Sequence, residues 1–229
     1  MQNRFARRAF LAALAASLAP PAAAQQLLDS LTQADASRGI RDALGLAALN
    51  ATTRLGQPNG FWSNVQVRIP LPGLLLQSQQ MLARFGMSKP LDDLQKSLNQ
   101  AAERTMPEAA GLFANAVHTI TIADAIDIVR GGDDSATRYL RGRTETRLTT
   151  LLKPPMTDAL TASGAFTLMR AALREVGLAS MTRDLRAEVI NVSTAKALDG
   201  CFTFIAEEER AIRRDPLRRT TDILRRVFG

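Results

Sequence analysis

Three consecutive glutamates, Glu207, Glu208 and Glu209, are the polar residues best placed to do chemistry in this chain. Leu198, Phe202, Ile205 and Ile212 recur around them at helical spacing, and position 209 falls on the same stripe. Glu209 is therefore expected at the edge of a core. Two readings are open. In the simpler and preferred one, Glu209 pairs with Arg213 four residues on and Glu207 with Arg210, as helix ion pairs. In the other, Glu209 is a carboxylate in an apolar cleft, its pKa raised by burial, and acts as a general acid or base. Asp133 or Asp134 would then be the second carboxylate of a hydrolase or lyase site.

Counting residues thins the remaining chemistry. His118 is the only histidine, so a zinc site built on two histidines is excluded. A Ser-His-Asp arrangement would have to use His118, and no G-x-S-x-G elbow exists to present the serine. Its place near a helix end suits a solvated residue answering the helix dipole. Cys201, the only cysteine, lies among Leu198, Phe202 and Ile205 and is expected as a buried, inert thiol. Ser193 and Lys196 match the S-x-x-K nucleophile pattern, but no S-D-N or K-T-G element accompanies them. Ser193 is more simply a helix cap. No glycine-rich phosphate loop or dinucleotide fingerprint is present. Neither a metal site nor a cofactor is expected.

The elements that must position these groups are helices. Residues 26–55 read as one or two, closed by Gly56 and the turn Gln57-Pro58-Asn59-Gly60. Over 73–85, Leu75, Leu76, Met81, Leu82 and Phe85 recur on one face, and Gly86 is a natural stop. Pro90 starts a helix with Leu91, Leu94 and Leu98 inward. Thr105 and Glu108 have capping-box spacing around Pro107, which predicts another helix start. Thr121 and Asp124 predict the same for 122–130. Gly131 and Gly132 then break the chain, a glycine there being free to turn left-handed. Asp133 or Asp134 is expected to cap the next helix, which Pro154-Pro155 ends. A helix over about 156–177, a long one from Ser193 to Arg214, and a last one opened by Asp215-Pro216 complete the series. Val65-Gln66-Val67-Arg68-Ile69-Pro70-Leu71-Pro72 alternates with a strand-like period, but its prolines forbid a central strand. An extended arm over about 61–72, anchored by Phe61 and Trp62, is expected across the helices. The expected fold class is all-α, one multi-helix domain over residues 25–229.

Residues 1–24 read as an export signal. Arg4, Arg7 and Arg8 precede the short apolar run Phe10 to Ala19, and Ala22-Ala23-Ala24 offers a cleavage site that leaves Gln25 first. Arg7-Arg8-Ala9-Phe10-Leu11 also fits the twin-arginine core, so both the general and the twin-arginine routes are open. Later apolar runs fall short of the ~20 residues a membrane span needs. Loss of the leader removes three arginines and no acid from 29 basic and 22 acidic side chains, leaving a net charge of +4. A modest positive balance suits anionic partners.

Three ordered segments carry a resemblance. They are Leu55-Gly56-Gln57-Pro58-Asn59-Gly60-Phe61 with Val67-Arg68-Ile69-Pro70-Leu71-Pro72, then Thr121-Ile122-Ala123-Asp124-Ala125 with Arg130 to Thr137. The third runs from Lys196-Ala197-Leu198-Asp199-Gly200 through Ala206-Glu207-Glu208-Glu209, Ile212-Arg213 and Asp215-Pro216 to Arg219-Thr220-Thr221-Asp222-Ile223-Leu224. Together they resemble a family of exported bacterial proteins catalogued as domain of unknown function 4197, from about residue 26 to the C-terminus. The resemblance implies an exported helical protein and carries no activity or catalytic residue.

The last segment sets Arg218, Arg219, Arg225 and Arg226 beside Leu217, Leu224, Val227 and Phe228, a basic amphipathic helix suited to an anionic surface. With Arg213, these arginines are the candidate binding residues. The expected function is a non-enzymatic periplasmic binding or interaction domain whose partner is an envelope protein or anionic envelope surface. A helical scaffold acting as an oligomer is a blander alternative. Nucleic acid is not an expected partner, since export removes it and few aromatics are present to stack bases.

Overall fold

A computed structural model describes residues 22–175 and 181–214, with side chains from residue 37 on except at 172, 173, 181 and 182. Seven helices and no strand lie among the described residues: α1 (Ala22–Leu55), α2 (Gly73–Ala83), α3 (Lys89–His118), α4 (Ile122–Arg130), α5 (Ser135–Thr161), α6 (Gly164–Glu175) and α7 (Met181–Arg214). The four long helices form a ring. α1 packs on α3, α3 on α5, α5 on α7, and α7 back on α1. Each step along the chain between them is made by a short element: the arm with α2, then α4, then α6. The ring exists because each long helix carries an apolar stripe too wide to leave in water. On α1 the stripe is Ile40, Ala43, Leu44, Ala47, Ala48, Ala51 and Leu55, all buried at spacings of three and four. Its alanines let neighbouring helices approach closely. Phe113 of α3 meets Phe202 of α7 edge to face, with ring centroids 5.8 Å apart. No single described helix is long and apolar enough to cross a membrane.

Several expected boundaries are not boundaries. Thr105 and Glu108 open no helix, because α3 runs unbroken through Pro107. The Thr105 hydroxyl instead donates to the Ala101 carbonyl one turn back. Pro154-Pro155 does not end α5, and the next helix starts at Gly164. A proline inside a helix costs ~3 kcal/mol in lost hydrogen bonding and steric conflict. Here the stripes run on past the prolines, with Met106 and Ala109 buried around the first, and Leu152 and Met156 around the second pair. Burial of Met106, Leu152 and Met156 contributes about 1.5–3 kcal/mol each, enough to hold the helices together across the defects. For the same reason Ser193 caps nothing. It is fully buried inside α7, which begins at Met181.

The arm is as expected in substance and different in detail. Residues 60–67 are a series of turns, and only 68–72 are extended. Phe61, Val67, Ile69 and Leu71 point into the core, whereas Val65 is exposed. Asn99 of α3 treats Ile69 as a strand neighbour would. Its Oδ1 accepts from the Ile69 N–H at 2.9 Å, and its Nδ2 donates to the Ile69 carbonyl at 2.9 Å. On α2, Leu75 is buried and Leu76 and Leu82 are partly so, but Met81, and Phe85 in the turn beyond the helix, face solvent. Gly86 has a φ of +68°, the left-handed stop the sequence predicted.

Candidate functional site

Glu209 lies where the sequence placed it, at the core edge and 6 % exposed, and its partners define its role. Oε1 accepts from the Ala136 N–H at 3.0 Å; Oε2 accepts from the Thr137 N–H at 2.8 Å and the Thr137 hydroxyl at 2.7 Å. These amides belong to the first turn of α5, whose N–H groups have no helical acceptor of their own. Arg213 holds the other side of the carboxylate, with Nη2 at 2.9 Å from Oε1. The same guanidinium donates to the Ile128 carbonyl at 3.1 Å and to the Ser135 hydroxyl at 2.9 Å, near the C-terminal end of α4. The anion thus sits at a helix N-terminus and the cation at a helix C-terminus, each matched to the local dipole. One ion pair on α7 clamps the α4–α5 corner.

Neither aspartate of that corner joins the clamp. Asp134 occupies the N-cap position of α5 but makes no side-chain cap bond, and pairs instead with Arg138. Asp133 pairs with Arg214 at the surface, and that guanidinium holds its carboxyl below the usual carboxylate range. The cap expected from one of them is supplied by Glu209, a residue of another helix. Gly131 is extended rather than left-handed, at φ −76° and ψ 176°. Glycine is needed there for space, since a Cβ would come within 2.5 Å of the Ser135 Cβ. The Thr121–Asp124 capping box is present in full, but no ion pair joins Glu207 to Arg210. Beside Glu209, the hollow lined by Ile40, Leu44, Ile212 and Arg213 has a volume of about 10 Å³, room for about one water and no substrate.

A second buried carboxylate carried no signal in the sequence. Glu103 of α3, 5 % exposed, accepts from the Phe61 and Trp62 N–H groups through Oε1, at 3.1 and 3.2 Å. Its Oε2 accepts from the Asn59 N–H at 3.1 Å. No cation pairs with it among the described residues. It closes the turn after α1, where Asn59 has a φ of +65°, a conformation asparagine tolerates. A Cβ on Gly60 would lie 2.5 Å from the Leu55 carbonyl oxygen, so only glycine fits there. The one cue in the sequence was a glutamate beside a buried stripe, indistinguishable from a surface acid.

The other candidates are placed apart. His118 is exposed in the last turn of α3. Cys201 is buried, and burial pushes its thiol pKa up to about 12. Ser193 is buried with its hydroxyl unpartnered, whereas Lys196 is exposed, so no S-x-x-K pair is assembled. No cluster of metal-ligating side chains occurs among the described residues. Arg213 is inside the clamp rather than on an open surface, and Arg218, Arg219, Arg225 and Arg226 lie outside the described residues, as does the leader up to residue 21. The roomier hollows are surface grooves, such as one of about 640 Å³ between α3 and α5 lined by Arg104, Glu108, Pro154, Pro155 and Asp158.

The model of a family described as protein of unknown function, DUF4197, matches residues 30–229. The chain belongs to that family. No curated protein and no solved structure matches it.

Proposed function

We propose that this family member is exported to the periplasm and acts there as a non-enzymatic binding or interaction domain of the cell envelope. The observation that carries the reading is how the buried acids are used: Glu209 and Glu103 spend their acceptors on backbone amides, and no acidic cleft forms around them. A carboxylate hydrolase or lyase needs Glu209 near Asp133 or Asp134, with room for a substrate. These aspartates are paired at the surface with Arg214 and Arg138, and the hollow beside Glu209 has a volume of about 10 Å³. The export half rests on the leader-like sequence of residues 1–24.

Two experiments test the two halves. Cell fractionation with N-terminal sequencing is expected to find a periplasmic chain beginning at Gln25; a cytoplasmic chain starting at Met1 would refute export. Crosslinking in living cells through a C-terminal tag, read by mass spectrometry, is expected to retain a recurrent protein partner or envelope lipid. An empty result, repeated with several crosslinkers, would turn attention to a small ligand or a reaction. Deleting residues 216–229 is expected to weaken binding to anionic envelope material, and unchanged binding in low salt counts against that segment as the contact.

A further inference from the structure

The groove between α3 and α5 differs from the other surface hollows in having two adjacent prolines in its wall. Its volume is about 640 Å³, and Thr150, Leu151, Pro154, Pro155 and Asp158 of α5 face Arg104, Thr105 and Glu108 of α3 across it. In a continuous helix the N–H groups of residues 154 and 155 would donate to the carbonyls of Thr150 and Leu151. Proline has no N–H, so both carbonyls lose that donor. A helical carbonyl points toward the residue four positions on. All four residues line the groove, so the two acceptors open on its side of α5.

The rest of the wall adds acceptors rather than donors. The Thr105 hydroxyl donates to the Ala101 carbonyl at 2.8 Å, and the Thr150 hydroxyl to the Thr146 carbonyl at 3.0 Å. Both hydrogens are thus used within their own helices. Glu108 and Asp158 are exposed, and no ion pair or side-chain hydrogen bond engages either among the described residues. Arg104 is the one described cation in the wall, and it too is unengaged. Arg147 and Lys153 are exposed on α5 but do not line the groove. Two carboxylates and two carbonyls therefore stand against one guanidinium, over an apolar floor of Leu151 and the proline rings.

An acceptor-rich wall selects a ligand by the donors it brings. A primary ammonium group carries three N–H donors and no acceptor, on a single positive charge. The volume is that of small-molecule sites, about 300–1,000 Å³. We infer that the α3–α5 groove binds a small ligand through a primary ammonium group. Its N–H groups take the carbonyls of Thr150 and Leu151 that the prolines leave open, and Glu108 and Asp158 supply the counter-charge. A free alkylamine and a lysine side chain share this chemistry.

The site goes beyond the envelope-binding reading and needs neither export nor residues 216–229. The processed chain recovered from cells is titrated by calorimetry with pentylammonium, with trimethylpentylammonium and with a capped single lysine. Saturable binding of pentylammonium is expected. The trimethyl analogue keeps the charge and the chain but has no N–H, and is expected to bind at least tenfold more weakly, since charge-assisted hydrogen bonds are the strong ones. The capped lysine separates the sources: tighter binding than pentylammonium assigns the site to a lysine side chain, weaker binding to a free amine. Pro154→Ala with Pro155→Ala returns both N–H donors to the helix and alters no charge. It is expected to weaken pentylammonium binding at least tenfold with a urea midpoint unchanged or raised, a pair of signs that misfolding cannot give. Glu108→Gln with Asp158→Asn is expected to weaken binding by a similar factor. Absence of saturable binding, equal binding of the trimethyl analogue, or full binding by either double variant overturns the inference. A cytoplasmic location or an empty crosslinking result sinks the envelope reading and leaves the titration standing.

Discussion

The turn closed by Glu103 and the corner clamped by Glu209 use the same device with opposite electrostatics. Each carboxylate is buried, and each accepts from backbone N–H groups left over where a helix begins or a turn tightens. Glu103 does so with three amides and no cation, on a turn whose outer residues, Gln57 to Asn59, meet water. Glu209 has two amides, a hydroxyl and Arg213, and its side chain and that of Arg213 are 7 % and 12 % exposed. Burying a charge requires partners, and the two sites, equally buried, supply different ones. Glu209 has a counter-ion, whereas backbone dipoles alone serve Glu103. The difference predicts that the two glutamates fail differently when altered, although neither does chemistry in this reading.

The sharpest break is Glu209→Ala. It leaves Arg213 without its buried counter-ion and frees two α5 amides, and is expected to cost about 3–5 kcal/mol in urea unfolding. A loss below about 1 kcal/mol would mean that the clamp is already solvated. α7 links the two regions, since Gly200 packs against Phe61 and Val67 while Glu209 lies nine residues on. Cys201, between them, reports whether that helix opens. With its thiol pKa held near 12 by burial, the native chain is expected to resist iodoacetamide at pH 8, and Glu209→Ala to speed alkylation about 100-fold or more. A thiol that reacts at the rate of unfolded protein in the native chain would contradict its burial.

The glutamine variants sharpen the contrast. Glu103→Gln swaps one acceptor for a donor and orphans no cation, so a cost of about 1–3 kcal/mol is expected. Glu209→Gln is expected to cost more than Glu103→Gln, and a reversed order would show that Arg213 is not paired electrostatically. The smallest effect belongs to the exposed capping box of α4. Thr121→Ala is expected to cost about 1 kcal/mol. Hydrogen bonds from Thr121 are the main cause of the lowered pKa of Asp124. A carboxylate lowered on folding contributes stability that is present above its unfolded value, near 3.9. That contribution is lost as pH falls through the lower folded value. Thr121→Ala should therefore flatten the acid limb of the stability curve below about pH 4, and an unchanged limb would locate acid sensitivity elsewhere.

Much of this was legible because it is local. Three-and-four spacing fixes which face of a helix is apolar; Thr121 with Asp124 fixes a start, and Gly86 a stop. The Glu209–Arg213 pair was legible for the same reason, being one helical turn long. The local signals misled where tertiary packing outweighed them. Pro107, read as part of a helix start, and Pro154-Pro155, read as a stop, lie inside helices with buried apolar residues on both sides, and helix packing overrides a few kcal/mol of local penalty. Asp134 was the local candidate to cap α5, but its carboxylate turns to Arg138, and Glu209, more than seventy residues away, takes the amides.

By itself, then, the sequence determined the helical class, the stripes that make the ring, the family, the Thr121–Asp124 start and the Gly86 stop, all of which depend on local residue patterns. Only the tertiary structure decided what each buried acid binds. A carboxylate's role is set by which donors surround it once water is excluded, and those donors come from segments brought together only when the ring closes. Glu103 holds a turn and Glu209 a helix corner because of where α3 and α7 lie.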